Sequence, residues 1–131
     1  MDPKDEFEHY LAMVESDIKT AKLLLDSQHV LPCLVYCSLA IEKALKAAHY
    51  KVDGSIPKTG HSLNKLATNT YLKEKMDDAL CDTLKDMENM HKNARYPSID
   101  YAKVSFEKCK EVYRRAEVLK CWIINQIKMQ I

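Results

Sequence analysis

Along most of this chain the apolar positions advance in steps of three and four, the spacing that gathers them on one side of an α-helix. Phe7, Tyr10, Leu11, Val14, Ile18, Ala21 and Leu25 make the first such stripe, with Glu15, Lys19 and Lys22 off its centre. Asp2 and Pro3 form a cap and first-turn pair, so the pattern predicts a helix from near Pro3 to about Asp26. A second stripe, Leu31, Leu34, Val35, Ser38, Leu39, Ile41, Ala44, Leu45 and Ala48, is much broader. A helix apolar over so wide an arc belongs at the centre of the fold, and Pro32 falls in its first turn, where the missing amide costs nothing. The segment KVDGSIPKTGH, residues 51–61, must turn the chain, since it holds Pro57 and the only two glycines, Gly54 and Gly60.

Beyond the turn, Ser62, Leu63, Leu66 and Ala67 predict a short helix with His61 or Ser62 at its cap. A third long helix is expected over Tyr71 to Asn89. Its stripe is weaker, carried by Leu72, Met76, Ala79, Leu80, Leu84 and Met87, which places it at the periphery. The run NARYPSID, residues 93–100, ends it, because Pro97 disfavours helical geometry at Tyr96; Ser98 or Asp100 can cap the next helix. That last helix buries Val104, Cys109, Val112, Tyr113, Ala116, Leu119, Trp122, Ile123 and Ile127. The expected fold is all-α, an antiparallel up-down bundle of four or five helices forming a single domain over residues 1–131.

Composition narrows the class further. Two glycines and four prolines leave little material for tight turns, and the net charge of +1 gives no global reason to expect a polyanionic partner. The five cysteines (Cys33, Cys37, Cys81, Cys109, Cys121) include no CxxC pair and lie mostly in apolar helical positions, where a free thiol acts as a small core residue. Cys33 and Cys37 share a face, yet no histidine joins them locally as a metal ligand. No metal and no cofactor is expected. The N-terminal MDPKDEFEH has no apolar signal core, and no apolar run approaches the roughly 20 residues of a membrane span. A cytoplasmic protein without a membrane partner is expected.

Phosphate-binding glycine loops, HExxH, GxSxG and EF-hand loops are all missing. Asp77 and Asp78 read as a solvated charge pair. His61 is either a turn-fixing residue or a proton acceptor beside the short helix. Within SLAIEKALKA, residues 38–47, Glu42, Lys43 and Lys46 interrupt the most apolar helix: the lysines are expected to emerge at its edge, and Glu42 needs a donor, for which Arg95 is the candidate. His91 and Arg95 stand four apart near the end of the third helix and share a face. A guanidinium can grip phosphate through two bonds and an imidazole can move protons near neutral pH, so this is the expected polar site. The plainer alternative has Arg95 satisfying terminal carbonyls and Glu42 while His91 faces water.

SLAIEKALKA, then GHSL at 60–63, then NARYP at 93–97 resembles the HEPN family, the higher eukaryotes and prokaryotes nucleotide-binding domains, over nearly the whole chain. The resemblance implies a dimeric helical bundle and, in many relatives, a partner protein with a minimal nucleotidyltransferase domain in a toxin and antitoxin pair. Active family nucleases carry an Arg followed four to six residues later by His. Arg95 matches that Arg, but the window after it holds Ile99, Asp100 and Tyr101. Tyr101 can donate a hydrogen bond and, with an ordinary pKa near 10, is a poor base at neutral pH.

Two functions are expected, beside a purely structural reading in which the polar set is an internal brace and the dimer face the only functional surface. The first is a non-catalytic module that binds a nucleotide, an RNA or a partner protein through Glu42, Lys46, His61, His91 and Arg95. The second is a metal-independent ribonuclease that uses Arg95 to hold phosphate and His91, or Tyr101, in proton transfer.

Overall fold

The structure is a computed structural model that describes residues 1–58, 62–95 and 103–129, with the side chains of 93–95 excepted. Among these residues there are five α-helices and no strand: α1 (Pro3–Asp26), α2 (Val30–Asp53), α3 (Leu63–Asn69), α4 (Asp78–Arg95) and α5 (Phe106–Lys128), with one 3-10 turn at Lys73–Lys75.

Helix α1 starts as its sequence demands. The Asp2 carboxylate accepts from the Asp5 amide at 2.8 Å and Pro3 opens the first turn. Its end carries no glycine. Gln28 turns the chain with φ 60°, while the His29 amide bonds back to Leu24 and the Gln28 amide to Leu25, the paired closure of a Schellman motif. The three residues 27–29 then return the chain as α2. Phe7 stacks on Tyr50 with ring centroids 4.8 Å apart and Asp17 meets Lys43, so α1 and α2 run antiparallel.

Helix α2 is the hub and packs against all four other helices. Ala40, Ala44, Ala47 and Ala48 have no exposed surface, and neither do Ile41 and Leu45. Small residues around so much of its circumference let several neighbours approach at once, which is the broad apolar arc made physical. Gly54 ends it in the left-handed conformation at φ 79°, its amide bonded to the Tyr50 carbonyl.

Three boundaries differ from the sequence expectation. The third long helix does not run from Tyr71. Instead α3 ends in a second Schellman closure, with Tyr71 at φ 63° and Leu72, fully buried, bonded back to Ala67; the 3-10 turn comes next, and α4 begins only at Asp78. The Asp77 carboxylate accepts from the Leu80 amide at 2.8 Å, so half of the supposed solvated pair is a cap. Finally, α5 is capped by Ser105, whose hydroxyl accepts from Lys108, and Val104 precedes the helix; the candidate caps Ser98 and Asp100 lie outside the described residues. Ser62 does cap α3, accepting from Lys65. Glu88 reaches over from α4 to accept from the first two α3 amides, Leu63 and Asn64, which pins the short helix onto α4.

Candidate functional site

The charges that interrupt α2 are sorted to two sides. Lys43 turns toward α1, where its Nζ lies 2.6 Å from Asp17 Oδ2, the lysine side chain 21% exposed and the aspartate 11%. Lys120 of α5 likewise reaches Glu15 at 3.1 Å. Both contacts are hydrogen-bonded, as the buried Asp17 and Lys120 require, while Glu15 itself stands half exposed.

Glu42 and Lys46, one helical turn apart, face α4 instead. There Glu42 Oε2 lies 3.5 Å from His91 Nε2 and 3.8 Å from Lys46 Nζ, and the three side chains are only 11–14% exposed. Ser38, one turn earlier on α2, is buried and donates to the Met87 carbonyl at 3.2 Å, so the position of His91 opposite Glu42 is set by a hydrogen bond between the two helices. One carboxylate thus faces two nitrogens, and neither contact closes to the length of a good charge-assisted hydrogen bond.

Of the sequence candidates, the structure brings Glu42, Lys46 and His91 together. Lys46 does not emerge at an edge: it is 8% exposed, because Glu42 on the same face compensates its charge. His91 does not face water, since α4 lays it against α2. Arg95 closes α4 one turn beyond His91; its side chain, and with it the expected Glu42–Arg95 bridge, lies outside the described residues. So do His61 and Tyr101.

The cysteines do no chemistry of this kind. Cys33 and Cys37 of α2 and Cys109 of α5 are fully buried in one seam, and Cys109 Sγ contacts the Val30 carbonyl at 3.8 Å. The hydrogen bond that the Cys33 thiol donates to Cys37, reinforced by burial, pushes that thiol far up, and burial beside Cys33 pushes Cys109 up to about 12. Thiols so disposed are not nucleophiles near neutral pH. Burial, then the Glu117 carboxylate that accepts from its hydroxyl, also raises Tyr113. Among the described residues no group of His, Cys, Asp and Glu is arranged to hold a metal ion, and no helix is long and apolar enough to cross a membrane.

Residues 7–127 match the family model described as HEPN domain. Among solved structures, the crystal structure of an archaeal HEPN homologue is similar with a TM-score of 0.71 and 18% identity, covering 97% of this chain and 98% of that one; at this identity the likeness is one of fold. No curated protein matches the chain.

Proposed function

Since the chain belongs to the HEPN domain family, we propose that it is a non-catalytic binding module that takes the phosphate of a nucleotide or RNA between α2 and α4, against Lys46, His91 and Arg95. The observation that carries this reading is the Glu42–Lys46–His91 cluster: two nitrogen-bearing side chains share one carboxylate at 3.5 and 3.8 Å, so an incoming anion gains donors without first breaking a short ion pair. Arg95, one turn further along α4, adds the planar donor suited to phosphate. Binding is the whole activity in this reading, because no imidazole stands at positions 99–101 to follow Arg95. The module works as a homodimer in the cytoplasm, beside a partner protein with a minimal nucleotidyltransferase domain.

Thermal unfolding with millimolar nucleotides is the direct test. A ligand present at about 100 times its Kd stabilises by roughly 2.7 kcal/mol, a shift of several degrees. The wild-type chain is expected to shift with at least one nucleotide, and Lys46→Ala and Arg95→Ala to shift much less. No shift across a panel, together with no binding of labelled RNA, overturns the reading. Co-purification from the native host tests the partner.

One observation favours a second reading. A carboxylate beside His91 Nε2 is the arrangement that orients a catalytic imidazole, so a metal-independent ribonuclease predicts RNA cleavage in the presence of chelator, abolished by His91→Ala with the fold intact.

A further inference from the structure

We infer that the groove between α3 and α4 is a second anion site, one that takes the sugar–phosphate backbone of an oligoribonucleotide extending from the Lys46–His91 site; the inference rests on the reading of that site as a phosphate site. The groove encloses about 580 Å³, and its charged lining comprises Lys73, Lys85, Lys92, Asp82 and Glu88. The three lysines outnumber the two carboxylates, and Glu88, though still charged, turns its oxygens to the amides of Leu63 and Asn64. Asp82, the other carboxylate, lies toward the end of α4 far from His91.

The lysines are placed differently. Lys73 comes from the 3-10 turn and is held by the Asn64 side-chain carbonyl at 2.7 Å, which fixes its ammonium at the rim. Lys85 and Lys92 are exposed and make no ion pair with a described residue. Seven residues apart on α4, they lie two turns, or roughly 10.5 Å, from each other along one face. A span of that length meets more than one phosphate of a strand, whereas a mononucleotide reaches one end only. Lys92 directly follows His91, so the groove adjoins the α4 face that carries the first site.

Among the described residues no aromatic side chain lines the groove, so what these residues offer a strand is charge for its backbone and not a stacking platform for its bases. The other large groove contrasts with it. Between α4 and α5 a space of about 480 Å³ is floored by Ala79, Leu80 and Val118, and its Arg115 is locked to Asp86 at 2.7 Å; among the described residues no comparable pair of exposed lysines lines it.

Fluorescence anisotropy with a labelled oligouridylate of about 12 nucleotides, competed by uridine monophosphate, tests this. The wild-type chain is expected to bind the oligonucleotide roughly tenfold or more tighter than the mononucleotide. The Lys85→Gln/Lys92→Gln double variant is expected to lose most of that gain, to flatten the slope of log K against log salt by about 1.4, and to bind the mononucleotide as wild type does. Lys4→Gln/Lys128→Gln, at the two ends of the chain, is the matched charge control and leaves the gain in place. Equal affinity for the two ligands, or an unaltered oligonucleotide affinity in the double variant, overturns the groove while leaving the first site standing. Absence of mononucleotide binding, with lysine-dependent oligonucleotide binding retained, overturns the first site instead. If neither ligand binds, both fall.

Discussion

The two sides of α2 treat charge in opposite ways. Toward α1, Lys43 and Asp17 close to 2.6 Å inside a largely buried seam; toward α4, Glu42 faces His91 and Lys46 across 3.5 and 3.8 Å. All five side chains come from helix interiors and all are mostly buried, so depth alone does not distinguish the seams. Closure does. A charge pair that has already made its short hydrogen bond is part of the scaffold, and the looser set is the one that the proposed function assigns to a ligand.

The sharpest way to break this comparison is to remove one member of the closed pair. Asp17→Ala leaves the Lys43 ammonium largely buried without its counter-ion, and urea unfolding is expected to show a loss of about 3 kcal/mol; a loss below that of Glu42→Gln would invert the assignment of the two seams. Next in size is the contact that ties α3 to α4. Glu88→Ala removes the acceptor of two helix-start amides and is expected to cost about 1 kcal/mol, with faster hydrogen exchange at Leu63 and Asn64 as the local readout. Smallest is Glu42→Gln. The amide keeps the shape of the site and breaks no short hydrogen bond, so unfolding free energy is expected to change by less than about 1 kcal/mol. Nucleotide affinity is expected to rise in the same variant, because the carboxylate no longer opposes the anion.

Helix α1 and the central place of α2 can be read from spacing because each is a local pattern repeated over six or more turns. The start of α4 cannot. Tyr71 and Gln28 occupy left-handed positions that glycine ordinarily marks, so a chain with only two glycines hides two of its turns. The buried Leu72 has the spacing of the next step of a stripe, yet it closes α3. Asp77 carries the cap signal, but its neighbour Asp78 makes the two resemble a solvated pair. In the site, Glu42 and Lys46 are linked by their spacing of four. His91 is legible as a candidate and not as the partner of Glu42, since that contact depends on how α4 is laid onto α2, which the Ser38–Met87 bond fixes across the fold. Glu88 leaves no trace in the sequence at all: one glutamate on a charged helix looks like any other.

The distribution of thiols gives the molecule a built-in attachment point. Three are sealed between α2 and α5 and Cys81 is half covered, whereas Cys121 stands open to solvent on α5, beside Trp122, the sole tryptophan. A maleimide dye is therefore directed to position 121 while the interior stays unlabelled, and its quenching by the adjacent indole turns any movement of that helix face into an optical signal.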